Sequence, residues 1–257
     1  MSRIVKQLLY GILYLAVFVA IGWGIYSVTL KPAPSCFDNT QNGGETGVDC
    51  GGPCVSCEVK NLHPLDVTNP LLLGSDRVFA GTAQVLNTNS AYGASAFSYT
   101  MSFYDASGNA LQTVKGSSFV YPGQTKDIIE AGVRIENGIP ARVGMALDPS
   151  TVAWANATDF TEPAFQVKDA STTIESGQVV VTGTIVNPNN FPLSKTIIGA
   201  FAVSRLGAEV GASRTELDGI GAFQEQTFNL FIPVAAADLR NVDLSATMNS
   251  VEADAVK

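Results

Sequence analysis

Histidine is almost missing from this chain: His63 is the single one in 257 residues. That scarcity removes the His-rich metal motifs and the Ser–His or Cys–His pairs on which most nucleophilic sites depend. His63 stands beside Pro64, with no serine or cysteine motif around it, and reads as a surface linker residue. No glycine-rich segment lies between a strand and a helix in the manner of a phosphate loop. Cysteine is equally confined, with Cys36, Cys50, Cys54 and Cys57 in one short stretch and none elsewhere. After Glu58 the chain also lacks any long 3.6-period apolar segment, which excludes a helical bundle for its bulk.

Charge is absent where it matters most. Gln7 to Leu30 contains no Asp, Glu, Lys, Arg or His and is built of Leu, Ile, Val, Ala and aromatic residues. A helix of that length rises roughly 36 Å at about 1.5 Å per residue, enough for a hydrocarbon core about 30 Å thick. Residues 7–30 are therefore expected to form a transmembrane helix, with Tyr10 and Tyr14 near one interface and Trp23 and Tyr26 near the other. Arg3 and Lys6 precede it and only Lys31 directly follows, so the positive-inside bias leaves residues 1–6 cytoplasmic and everything after the helix outside. A cleaved secretory signal is the rival reading, and a lipid-modified Cys36 a third, although Ala33-Pro34-Ser35 departs from the usual lipoprotein pattern. Each exports the rest of the chain.

Setting aside Arg3, Lys6 and Lys31 leaves 12 basic against 23 acidic residues, a net charge of −11 on the exported part. Such a surface repels phosphate backbones, so nucleic acid is not expected as a partner. In an exported segment too short for a core of its own, the four cysteines read as two disulfides, with three pairings open. The competing reading is a zinc site using the Cys54-Val55-Ser56-Cys57 spacing. Asp38, Asn39, Asn42, Glu45 and Asp49 lie among glycines between the cysteines. They are weak calcium candidates set against ordinary Asx and glycine turns.

Cys36-Phe37-Asp38, then Gln41-Asn42-Gly43-Gly44-Glu45-Thr46-Gly47-Val48-Asp49-Cys50-Gly51-Gly52-Pro53-Cys54 and Cys57, resembles the short NGxETxxDCGGxCxxC module of secreted and surface proteins. The resemblance covers 22 residues and implies an extracellular spacer or interaction module at residues 31–58.

Beyond Glu58 short alternating apolar runs are separated by Gly, Asn, Pro, Asp and Ser, an all-β pattern. It repeats at an offset of 100 residues. Thr82-Ala83-Gln84-Val85-Leu86-Asn87-Thr88-Asn89 aligns with Thr182-Gly183-Thr184-Ile185-Val186-Asn187-Pro188-Asn189, and Ile128 aligns with Phe228. Phe97, Tyr99, Met101 and Phe103 align with Ile197, Gly199, Phe201 and Val203, one inward row expected in both halves. Gly108 and Gly207 follow as turn residues, one position out of step. Tyr121-Pro122-Gly123-Gln124 aligns with Gly221-Ala222-Phe223-Gln224 as a further turn, and Val143, Met145 and Leu147 resemble Leu244, Ala246 and Met248 as a last strand. The expected domains are residues 59–160 and 161–257, with Trp154 packed near their junction.

The aromatic strand ending at Phe103-Tyr104-Asp105, the glycine turn and the later Pro122-Gly123-Gln124 resemble the FxLYD-type family of immunoglobulin-like sandwiches. The second repeat departs from it, with Val203-Ser204-Arg205 and no Pro-Gly pair. The resemblance implies a surface-exposed, non-catalytic module. The fold class expected is all-β: two tandem immunoglobulin-like β-sandwiches after an N-terminal transmembrane helix and a small cysteine-rich module. The function expected is a single-pass membrane-anchored stalk, adhesion or protein-interaction protein of the cell envelope. It would bind an envelope or protein partner and use no cofactor, with Tyr121 and Phe223 as contact residues. An extracytoplasmic carbohydrate-active enzyme using paired carboxylates, or an accessory subunit of a membrane complex, are the alternatives.

Overall fold

The computed structural model describes residues 3–27, 34–75 and 77–256. Residues Met1–Leu62 form one compact unit and His63–Lys257 another.

In the first unit, α1 (Arg3–Ile25) has no buried residue and is apolar on all sides. Its 23 residues are long and apolar enough to cross a membrane, a property that a signal sequence shares. The helix starts at Arg3 instead of Gln7, taking both basic residues into its first turns; their long stems let the charged ends reach toward water from a helical backbone. Val28, Thr29 and Leu30 of the expected span, and Lys31, lie outside the described residues. The cysteine segment closes through Cys36–Cys54 and Cys50–Cys57 and ends in a short helix, α2 (Cys57–Lys60), capped by Ser56. Gly52 is required there: it has φ +59°, and a Cβ would fall 2.2 Å from the Gly44 carbonyl oxygen.

The second unit holds two β-sandwiches. In the first, β1 (Asp66–Ser75), β2 (Val78–Leu86) and β5 (Thr125–Arg134) form an antiparallel sheet in the order β1-β2-β5. It faces a sheet of β3 (Tyr92–Tyr104), β4 (Ala110–Val120) and β6 (Arg142–Asn156) in the order β4-β3-β6. Phe97, Tyr99, Met101 and Phe103 fill the core between them with Val85, Val120 and Ile128, and Trp154 packs half-buried against it. The second sandwich repeats the plan. β7 (Gln166–Glu175), β8 (Gln178–Val186) and β11 (Glu225–Pro233) pair as β11-β8-β7, opposite β10 (Glu209–Ile220), β9 (Leu193–Val203) and β12 (Glu252–Val256) paired as β10-β9-β12. Even irregularities recur: β1 bulges between Thr68 and Leu71 with Asn69 at φ +50°, and β7 between Lys168 and Ser171 with Asp169 at φ +52°.

Two alignments made on the sequence are corrected. The inward row of β9 is Ile198, Ala200 and Ala202, not Ile197, Gly199, Phe201 and Val203. One residue fewer lies between Asn187 and the Ser204–Gly207 turn than between Asn87 and the matching Asp105–Gly108 turn, and a one-residue slip sends each side chain to the opposite face. Phe201 and Val203 thus leave the second core and pack on the first sandwich, against Leu73, Ala80 and Ile129. Second, Leu244, Ala246 and Met248 lie in a helix, α4 (Leu244–Asn249), which follows the shorter α3 (Ala236–Leu239). The Asp243 carboxylate caps α4 by accepting from the Ser245 and Ala246 amides. Side chains then take the place of a strand partner: Thr247 Oγ1 accepts from the Val203 amide at 3.0 Å, and Ser250 Oγ from the Phe201 amide at 3.0 Å.

Candidate functional site

The outer face of the β1-β2-β5 sheet packs on the outer face of the β10-β9-β12 sheet, through Leu73, Ala80 and Ile129 on one side and Phe201 and Ala212 on the other. Beside this apolar contact a cleft of about 230 Å³ opens between the sandwiches. Its walls carry Tyr99, Tyr121, Lys126, Asp127 and Glu162 from the first sandwich and the connecting segment, and Arg214, Glu252 and Asp254 from the second. Phe201, Gly199 and Phe165 supply apolar floor.

Half of these polar groups are spent across the joint. Glu130 is buried on β5; its Oε1 accepts from the Tyr99 hydroxyl at 2.6 Å, and Arg214 Nη2 lies 3.4 Å from the same oxygen. Burial, and then the Glu130 carboxylate, push the Tyr99 phenol well above its ordinary range. Lys126 pairs with Asp254, and the Phe119 ring centre lies 3.3 Å from Lys126 Nζ. Burial pulls the lysine down and pushes the aspartate up, each opposed by the partner's charge. Gln124 Nε2 donates to Glu162 at 2.9 Å. Glu209 and Glu252 sit above their ordinary values through burial and then through Asp127, with Asp254 also acting on Glu252.

The residues singled out on the sequence are placed apart. Tyr121 joins the cleft, with its hydroxyl donating to the Ala255 carbonyl at 3.2 Å and its ring meeting Phe119 and Phe160 edge to face. Phe223 lies on the turn between β10 and β11, 70% exposed and at φ +59°. In the cysteine module all four sulfurs are in disulfides, so none remains as a thiolate for zinc. Among the calcium candidates, Asp49 is buried and accepts from the Asp38 and Asn39 amides, and Glu45 accepts from the Asn42 and Asp49 amides. Asp38 accepts from Thr40 N and from Asn42 Nδ2 at 2.8 Å, and Asn42 Oδ1 is buried with no hydrogen-bond partner among the described residues. His63 is exposed, and its main chain exchanges two hydrogen bonds with the Asn89 side chain.

Sequence reasoning missed Glu130, Arg214, Lys126 and Asp254. A signal was present for Glu130: at the 100-residue offset its counterpart is Leu230, which is 1% exposed in the second core. A carboxylate where the sister repeat buries leucine requires a specific partner.

No protein-family model and no curated protein sequence matches this chain. Among solved structures it is similar to red sea bream transglutaminase, at 14% identity and a TM-score of 0.25, over 66% of this chain. The chain spans 27% of that enzyme, and a likeness at this level carries no argument about fold or activity.

Proposed function

We propose that this is a non-catalytic, membrane-anchored stalk or interaction protein of the cell envelope, with α1 as its anchor and its two sandwiches displayed outside the cytoplasm. The observation that carries the reading is the joint. Two ion pairs join first sandwich to second at this interface, buried Glu130 with Arg214 and the largely buried Lys126 with Asp254, so these charges are engaged in holding the joint. A binding module gains from such a joint because it holds end loops and edge strands at fixed spacing. The two disulfides support an oxidising compartment. The resemblance of the first repeat to FxLYD-type sandwiches and of the cysteine segment to surface-protein modules points the same way. Phe223 is the proposed partner contact.

Protease treatment of sealed membrane vesicles tests the topology. Residues 63–257 are expected to be attacked in right-side-out vesicles and protected in inverted ones, and the reverse pattern sinks the reading. Copurification of a stoichiometric partner after mild solubilisation would identify the protein as a subunit of a membrane complex instead of a free-standing stalk.

A further inference from the structure

Lys126 on β5 and Asp254 on β12 meet between the sandwiches, with side chains 13% and 27% exposed. The Phe119 ring covers the ammonium. Lys126 Nζ is buried, and among the described residues the Asp254 carboxylate is the one acceptor given for it. The buried charge is thus met by one carboxylate and a ring face, with N–H donors left over. A buried ion pair with unsatisfied donors carries a desolvation cost that its mutual attraction does not repay. A second lysine–carboxylate pair in direct contact, Lys195 with Glu216 on β9 and β10, has side chains 47% and 45% exposed and keeps its solvent.

We propose that Lys126 and Asp254 condense to an intramolecular isopeptide bond that ties the first sandwich to the last strand of the second. The reaction needs no outside reagent. A proton passes from the ammonium to the Asp254 carboxylate, giving the neutral pair that burial favours for both groups. Lys126 Nζ then attacks Asp254 Cγ. The Nζ–Cγ bond forms, a Cγ–O bond breaks, and the hydroxyl departs with a proton from nitrogen as water.

Glu252 carries that proton. It stands two residues before Asp254 on the outward face of β12 and lines the same cleft, exposed at its outer end, where partial burial and then Asp127, Glu209 and Asp254 raise its carboxyl above the ordinary range. Glu162 flanks Asp254 from the connecting segment, adding negative charge that further disfavours the aspartate anion. Amide formation in water is normally uphill. Groups held in contact by a fold, however, act at effective molarities on the order of 10⁵ M or more, and the product removes two buried charges.

The test is the intact mass of the full-length protein, purified in detergent and reduced, beside a Lys126→Arg variant that keeps the ion pair. The wild type is expected one water lighter than its sequence requires once the substitution is allowed for, and its digest should contain a branched peptide joining residues 126 and 254. No such branch is expected at Lys195. A wild-type digest with separate, unmodified peptides covering 126 and 254 overturns the proposal, whether or not the variant folds.

Discussion

Asn187 donates from its side-chain nitrogen to the carbonyls of Phe191, Ile220 and Gly221, while its oxygen accepts from Asn189. Asn87 does the same work in the first sandwich, donating to Tyr92 and Tyr121 and accepting from Asn89. Each second asparagine then clasps the incoming chain, Asn89 at His63 and Asn189 at Ala164. The Asn-x-Asn repeat read on the sequence as a turn is therefore a buried clamp at the end of each sandwich. Asn187→Ala removes these hydrogen bonds from a fully buried position and is expected to cost about 2–4 kcal/mol in urea unfolding. A loss of a few tenths would show that water replaces the side chain. Phe223 stands where the first repeat has Gly123, and both have positive φ. Phe223→Gly is expected to raise stability by about 0.5–1 kcal/mol, because the left-handed conformation costs a Cβ-bearing residue more than glycine loses in chain entropy. The same change should abolish partner capture if Phe223 is the contact.

Among the elements, β9 shows how one residue redirects a strand. Its inward row is Ile198, Ala200 and Ala202, small where the first sandwich carries Tyr99, Met101 and Phe103. Its outward row holds Phe201, which packs on Ile129 and Leu73. The glycines at 108 and 207, one position out of step, already recorded the missing residue, but local patterning cannot say which side of the gap a slip falls on. Phe201→Ala is expected to lower stability by about 2–4 kcal/mol and to split a single unfolding transition into two, seen by calorimetry. One transition at a lowered midpoint would show that the charge pairs alone keep the sandwiches coupled. For α1, replacing Leu15 with arginine is expected to raise the cost of insertion by about 2.5–3.5 kcal/mol and shift protein from the membrane to the soluble fraction. Unchanged partitioning would count against the anchor.

Over the whole molecule, acidic groups gather at the joint. Glu209 and Glu252 are held up by burial and by Asp127, so the folded protein takes up protons more readily than the unfolded chain. The stability this supplies is complete below the ordinary carboxylate range and is lost as pH rises through the raised values. Glu252→Gln is therefore expected to flatten the fall in urea midpoint as pH rises above the ordinary carboxylate range, modestly because solvent screens this exposed group. A variant with the wild-type slope would place Glu252 outside the cluster's field. Exposed Asp38, Asp105 and Asp148 act with the opposite sign: hydrogen bonds, first from Asn42, Asn109 and Ser150 respectively, lower their values, so what they add is lost as pH falls. Comparing variant with wild type cancels that background.

Composition and periodicity by themselves determined the apolar helix, the compact cysteine segment, the all-β class and the repeat, because each depends on local spacing or on which residues tolerate water. Tertiary structure decided the disulfide pairing, the face that Phe201 presents, the helix at 244–249 and the meeting of Lys126 with Asp254. Those outcomes depend on which distant backbone segments are brought within a few ångströms, and residues 128 positions apart in the chain carry no local mark of their contact. Glu130 is the intermediate case: its charge on an inward row announced a partner, and only the packing of one sandwich on the other named Arg214.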